Sequence, residues 1–445
     1  MPAHRIPRIP ARIGGPVVTL LIVVLGAFFL LVCPGSSALA FTVGRLDVAP
    51  RLDLEGMYDD NVWLRESGDP ERPVVGDWVC RVRPGLLLRY DYGATDFSLG
   101  YRTSFDFYMG RKSPSAPEVL DTTRQDSYAR DHDVSLSARR AFTPRTSVAV
   151  TDTLRIGTDV SDLVEALPGE VPDGVTGTLP DPADYRINRV GVTVTHRLTR
   201  TFSLVGGGGY RYAWYDETER DGEALRPVRE EHHGDATAGF TYAWHARNTL
   251  DVNVVGSYMD YGRRGESKGV ALTAGNAWQA TEALSMSGRV GVQYLDQLDR
   301  FSEDGILVQI RSKNVRPTGD AALSYAFREF VFTLAGNAGV SEGSGAGTTR
   351  WSRAARLTVS YEPRTALTLN GFAGYAKDEA LSADDREDTE SYQAGAGIAY
   401  RFRPWFGAGF RYTFIDRNAL GERGTSYKVN RFVLGVNLSL PDSLG

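Results

Sequence analysis

The chain has 445 residues, a formal net charge of −5 at pH 7, two cysteines and 11% aromatic residues. This mild acidity argues against nucleic acid as a partner, and so few cysteines exclude a disulfide-stapled fold. After residue 41 no apolar run approaches the ~20 residues that a membrane helix needs.

The N-terminal residues carry the three features of a secretory signal. Three arginines lie within the first twelve residues, an apolar run covers residues 16–33, and the small-residue motif Ala38-Leu39-Ala40 follows. We predict a cleavable signal peptide over residues 1–40 and one domain over residues 41–445. A retained membrane anchor and a lipoprotein signal acylated on Cys33 are the alternatives.

The first strands already show the pattern that the rest of the chain repeats. We predict a strand over Leu46–Tyr58, and then a hairpin over Trp78–Phe107 with a tight turn at Tyr92–Thr95. In this hairpin every second residue is apolar and the intervening residues are mostly polar, as in a strand with one apolar face. An apolar face longer than about ten residues is typical of a strand that crosses a bilayer.

The same alternation recurs to the end of the chain and predicts about 18 strands, with a margin of about two. The further predicted strands are Tyr128–Phe142, Thr146–Ile156, Val190–Leu198, Phe202–Trp214, Ala236–Trp244, Leu250–Tyr258, Val270–Ala280, Leu284–Tyr294, Val315–Phe327, Phe330–Val340, Arg353–Tyr361, Leu367–Tyr375, Tyr392–Phe402, Phe406–Phe414 and Lys428–Leu440.

The connections alternate between short turns, such as Thr143–Arg145, and long loops, such as Gly157–Arg189 and Leu295–Asn314. Short periplasmic turns and long outer loops are typical of outer-membrane barrels. The fold class is therefore predicted to be all-β, a transmembrane antiparallel up-and-down β-barrel in the outer membrane of a Gram-negative envelope.

If the apolar residues face lipid, the polar face of each strand lines an enclosed interior. We predict that this lining contains arginines, namely Arg81, Arg83, Arg102, Arg139, Arg155, Arg211, Arg289, Arg356, Arg411 and Arg431. The predicted inward acids are Asp96, Asp106, Asp133, Asp251 and Asp320. An excess of inward arginines suits a conduit for anionic or hydroxyl-rich solutes, and an internal salt-bridge network is the alternative. Asp152 breaks the pattern, because its phase places it on the lipid face unless a bulge or a register slip intervenes.

Nothing in the sequence favours an enzyme or a cofactor. The cluster at His232-His233 is expected to be a solvated strand start, with a metal site as the alternative. In Asp131-His132-Asp133, adjacent residues face opposite ways, which argues against a catalytic pair. Gly206–Gly209 lies inside a strand with no helix after it, so we interpret it as a bend or a close approach of backbones.

Short phrases of the sequence resemble a family of outer-membrane β-barrel porins associated with exopolysaccharide export. Tyr58-Asp59-Asp60-Asn61-Val62 resembles the early Tyr-x-x-Asn-aliphatic signature of that family, and Phe142–Thr146 and Tyr361–Thr365 resemble its periplasmic turns. The resemblance implies a barrel that sits in outer-membrane lipid and passes an anionic or neutral polysaccharide. It also implies a periplasmic polysaccharide-export protein as a partner.

Two functions therefore remain open. The first is an outer-membrane channel that exports secreted polysaccharide as part of an exopolysaccharide secretion system. The alternative is a general diffusion porin for small, mainly anionic solutes. A non-conducting scaffold or adhesin that displays the long loops is a third possibility.

Overall fold

The computed structural model describes residues 41–43, 45–61, 74, 76–109, 128–157, 184–216, 229–262, 265–303, 306–343, 348–381, 388–420 and 426–439. The predicted signal peptide, residues 1–40, lies outside the described residues. These segments form one antiparallel sheet. No helix within them is long and apolar enough to cross a membrane.

The described segments contain a three-residue strand, β1 (Phe41–Val43), and the strands of a barrel. The barrel strands are β2 (Leu46–Asp59), β3 (Asp77–Tyr92), β4 (Thr95–Tyr108), β5 (Tyr128–Thr143), β6 (Thr146–Gly157), β7 (Asp184–Arg197), β8 (Phe202–Asp216), β9 (Arg229–His245), β10 (Asn248–Asp260), β11 (Gly265–Gln279), β12 (Leu284–Glu303), β13 (Ile306–Phe327), β14 (Phe330–Gly343), β15 (Thr348–Arg364), β16 (Leu367–Ala380), β17 (Thr389–Arg403), β18 (Phe406–Ala419) and β19 (Tyr427–Ser439).

Each barrel strand pairs with its neighbours in the chain, and β19 pairs with β2 from Arg431–Asp59 to Ser439–Arg51. The sheet therefore closes into an up-and-down barrel of 18 strands in the described part of the chain, which confirms the predicted fold class and strand count. The short β1, which the sequence did not predict, pairs with the start of β2.

The two faces of the wall differ as the alternation predicts. Large apolar side chains on one face are exposed, among them Val290 at 74%, Val315 at 68% and Leu434 at 64%. This apolar face points outward to lipid, and the opposite face, which we call the lumenal face, carries most of the charged side chains.

Several strands extend further on the long-loop side than the sequence predicts. The clearest case is the predicted loop Leu295–Asn314, most of which continues the paired strands β12 and β13 as far as Glu303 and Ile306. Polar residues occupy both faces of this extension, as in Asp296-Gln297 and Ser312-Lys313. The period-two signal therefore stops there, whereas the backbone pairing continues.

Asp152 projects from the outward face. Its pairing with Leu136 on β5 and with Val190 on β7 lies in uninterrupted stretches of both ladders. The bulge or register slip that the sequence suggested is therefore wrong. The Nδ2 group of Asn188, also on the outward face, donates a hydrogen bond to Asp152 Oδ1 at 2.8 Å.

The wall opens along one seam near its outer end. Strands β13 and β14 pair only between Gly319–Ala338 and Phe327–Phe330, although both continue beyond Gly319 and Ala338. Pro317 lies two residues beyond the last pair, and proline has no N–H to donate to a neighbouring strand. Above this point β13 stays with β12, and β14 stays with β15.

Beyond the seam, the end of the β14–β15 hairpin lies inside the barrel. We call this segment, residues 339–343 and 348–353, the inner hairpin. Its outward-phase side chains Val340 and Trp351 pack, with Leu381, against Leu295, which is on the lumenal face of β12 and is fully buried. The outer face of one part of the sheet thus contacts the inner face of another part, so the inner hairpin occupies the lumen.

Candidate functional site: the lumenal wall

The strand registers place all ten predicted arginines on the lumenal face, opposite the exposed apolar side chains. The five predicted acids share that face. The arginines differ, however, in what they contact, and these contacts divide them into three groups.

The first group forms buried ion pairs near the outer end of the barrel. Arg81 Nε donates to both carboxylate oxygens of Asp106 at 2.8 Å, and the two side chains are only 2% and 0% exposed. Arg211 lies 3.6 Å from Glu231 in similar burial. Breaking such a pair leaves an uncompensated buried charge, so these arginines hold neighbouring strands together.

The second group forms partly exposed ion pairs. Arg102 and Arg155 contact the two carboxylate oxygens of Asp133 at 2.7 and 3.2 Å. Arg289 similarly bridges Asp251 and Asp320, at 3.0 and 3.4 Å, and Arg83 contacts Glu55 at 3.3 Å. The salt-bridge alternative therefore describes much of the wall.

The third group contains the remaining arginines, which differ in their surroundings. Arg139 has its side chain exposed on the lumenal face. The guanidinium of Arg356 lies 4.2 Å from the centre of the Phe372 ring, a cation–π contact. Arg411 lies on the lumenal face of β18, opposite Val433 of β19.

Arg431 also belongs to the first group and lies in a second buried cluster, which closes the barrel. Its Nε and Nη2 atoms donate to Asp59 Oδ2 at 2.9 and 2.8 Å across the β19–β2 junction. Asn61 donates from Nδ2 to the Lys428 carbonyl at 3.0 Å, and Asp60 accepts from Asn430. The Tyr58–Val62 phrase thus includes residues that join the first and last barrel strands, a structural role that sequence reasoning missed.

The contacts of the inner hairpin involve further residues that the sequence did not single out. The Tyr261 hydroxyl lies 3.3 Å from Thr349 Oγ1, which joins the end of β10 to β15. Burial raises the pKa of the Tyr261 phenol far above its ordinary value, so this group stays a neutral hydrogen-bonding partner. Trp351 Nε1 donates to the Pro317 carbonyl at 3.2 Å.

The histidine motifs do not assemble into a reactive site. His232 faces outward and bonds the Tyr210 hydroxyl at 2.7 Å, whereas His233 faces the lumen. His132 likewise faces outward, bonded to Tyr101 at 2.9 Å, away from its two aspartate neighbours. Among the described residues, no three His, Cys, Asp or Glu side chains converge as metal ligands would.

The sequence left two interpretations of the glycine run in β8, a bend or a close approach of backbones, and the position of Gly207 favours the second. A Cβ atom on Gly207 would lie 2.6 Å from the Val192 carbonyl oxygen of β7. Larger residues at this position would push the two strands apart.

A closed barrel with an apolar outer face and an ionic lumen defines the class of protein, which is an outer-membrane β-barrel porin. Residues 34–440 match the sequence profile of the family described as "Putative beta-barrel porin 2", and the chain belongs to this family. The protein is therefore located in the outer membrane. No curated protein matches the chain.

Solved structures of similar shape are outer-membrane porins with low sequence identity to this chain. A BenF-like porin from Pseudomonas fluorescens Pf-5 is 12% identical with a TM-score of 0.46, covering 88% of this chain and 99% of that one. The outer membrane protein OpdK from Pseudomonas aeruginosa is 12% identical with a TM-score of 0.41 at the same coverage. OccAB3 of Acinetobacter baumannii is 12% identical with a TM-score of 0.42, again covering 88% and 99%.

Proposed function

We propose that this porin is a passive channel for small, mainly anionic solutes. The observation that carries the proposal is the inner hairpin, which occupies part of the lumen near the outer end. An 18-stranded barrel is wide enough for an aqueous channel, and the hairpin reduces the cross-section that remains. Such a narrowed passage suits solutes much smaller than a polymer.

The expected anion preference follows from the charges of the wall. In the Arg102–Asp133–Arg155 group two guanidinium groups share one carboxylate. The net positive charge of this group offsets the net negative charge of Arg289 with Asp251 and Asp320. Arg139 adds an exposed guanidinium on the same face. Fixed charges along a pore select against ions of the same sign.

Polysaccharide export is the weaker proposal. Its residue-level support was the Tyr58–Val62 phrase together with two turn phrases. In the Tyr58–Val62 phrase, Asp59, Asp60 and Asn61 join β2 to β19. These contacts close the barrel of this chain, whatever the channel carries. The phrase therefore supports membership of the family and leaves the substrate open.

The test is conductance of the refolded barrel in planar lipid bilayers across a potassium chloride gradient. We expect steady open channels whose reversal potential indicates chloride preference, and none from a heat-unfolded sample. Electrically silent barrels, or a preference for potassium, would contradict the proposal. A deletion strain tests export directly, because intracellular trapping of polymer in that strain would favour the polysaccharide hypothesis instead.

A further inference from the structure

The lumenal face of β7, β8 and β9 contains a recess whose floor is made of backbone. Gly191, Gly207 and Gly209 lie on this face, so the wall has no side chains at three neighbouring positions. Cβ atoms on them would lie 2.9 Å from Thr151 Oγ1, 2.6 Å from the Val192 carbonyl and 2.5 Å from Asp235 Oδ1. The cavity measures about 370 Å³, within the usual range for small-molecule sites.

Basic side chains line one side of this recess. The ladders place Arg189 directly opposite Arg211, and Arg211 directly opposite His233. Like charges at directly opposed positions destabilise a sheet, so fold stability alone does not favour two arginines here. Glu231, at 3.6 Å, offsets the buried Arg211, whereas the Arg189 side chain is exposed at the cavity.

Hydroxyl groups and one carboxylate line the rest of the recess. Thr151, Thr193 and Thr237 surround the glycine floor, and Asp235 lies beside Gly209. Threonine hydroxyls both donate and accept hydrogen bonds, and an ionised carboxylate accepts them. These groups suit the hydroxyls of a sugar ring, and the cavity volume has room for the ring itself.

We propose that this recess is a binding site for a hydroxylated carboxylate the size of one sugar ring. Arg189 binds the carboxylate of the solute, because its exposed guanidinium offers paired donors that match two carboxylate oxygens. The threonines and Asp235 bind its hydroxyls. The inference rests on the proposed function and extends it by naming a solute class and the place in the lumen where the solute binds.

The test is equilibrium binding to the refolded full-length barrel in detergent, measured by isothermal titration calorimetry. The probe is galacturonate. Galactose, which lacks the charge, and cyclohexanecarboxylate, which lacks the hydroxyls, are the comparison compounds. We expect galacturonate to bind about tenfold or more tightly than either, the effect of losing one charge-assisted hydrogen bond.

Two matched arginine variants separate binding at the recess from the general electrostatic effect of the charged lumen. Arg189→Gln should weaken galacturonate binding about tenfold. Arg411→Gln removes one lumenal charge from β18, seven strands away from β7 around the closed barrel, and should leave binding unchanged. Thr237→Val should reduce the advantage of galacturonate over cyclohexanecarboxylate while the barrel keeps its folded electrophoretic mobility.

Equal losses in the two arginine variants, or no binding of galacturonate to the wild-type barrel, would overturn the site. Bilayer recordings of the same preparations distinguish this result from failure of the proposed function. Anion-selective channels without galacturonate binding would contradict only the proposed binding site. Galacturonate binding to barrels that conduct no current would contradict only the proposed passive-channel function.

Discussion

Asp152 and Asp106 show how position decides what a carboxylate does in this wall. Asp106 is fully buried on the lumenal face and accepts two hydrogen bonds from Arg81 Nε. Asp152 is on the outward face, surrounded along its strand by Val150 and Leu154, with the amide of Asn188 as its bonded neighbour. It lies six residues from the turn, roughly 20 Å along the strand and about 15 Å along the axis of the barrel once the strand tilt is included, and hence within the apolar zone of the wall.

At the Arg81–Asp106 pair we predict a large loss of stability on removal of one partner. Asp106→Leu leaves the Arg81 guanidinium buried without its carboxylate, and such a change typically costs about 3–5 kcal/mol. Asp133→Leu affects a partly exposed group and should cost about 1 kcal/mol or less. Urea-induced unfolding in lipid vesicles, followed by tryptophan fluorescence, measures both. Similar losses in the two variants would show that burial does not set the strength of these pairs.

At the outward pair we predict the opposite sign. Replacing both Asp152 and Asn188 with valine removes polar groups from the lipid face, where charged substitutions cost up to about 2–4 kcal/mol and acids less. The double variant should therefore be more stable by roughly 1 kcal/mol in the same unfolding assay. Thr153→Val, one residue along on the lumenal face, is the control and should change little. A less stable double variant would mean that another molecule covers this pair in the membrane.

Among the elements, the strands that cross the bilayer were predictable and the inner hairpin was not. Lipid on one side and water on the other impose a period of two on each crossing strand, which is why the count and the facing of the arginines emerged from the sequence. The inner hairpin depends on contacts between strands that are not neighbours, such as Trp351 with Leu295. Such contacts produce no periodic pattern in the amino-acid sequence. Pro317 was the available signal, since proline within a strand is confined to edges and bulges.

The inner hairpin yields a prediction about conductance. Trp351 is buried between Leu295 and Leu381, and truncating a buried tryptophan typically costs about 3–5 kcal/mol. Because the neighbouring ladders persist without it, this loss should loosen the hairpin and leave the barrel closed. Trp351→Ala should therefore raise single-channel conductance or introduce rapid fluctuations between levels. Trp244→Ala alters an outward side chain that is 60% exposed, and its conductance should match the wild type.

At the scale of the whole molecule, the lumen combines a structural and a selective use of the same residue type. Buried arginines such as Arg81 and Arg431 clamp the strands at the outer end, and exposed ones such as Arg139 and Arg189 set the potential that a passing ion meets. The sequence placed the ten predicted arginines on one face, but it could not divide them between these uses. The division depends on the depth of burial and on which acid lies across the ladder, and the full three-dimensional packing fixes both.

This division predicts two different outcomes for the same charge reversal. Arg139→Glu changes an exposed lumenal charge by two units, so it should shift the reversal potential toward cation preference without loss of the folded barrel. Arg81→Glu places a second carboxylate against Asp106 in a buried site, where like charges repel without solvent screening. That variant should fail to refold, as judged by the loss of heat-modifiable migration on gels. If Arg139→Glu leaves selectivity unchanged while Arg81→Glu folds and shifts it, the selective charges lie at the outer end and the assignment of roles is reversed.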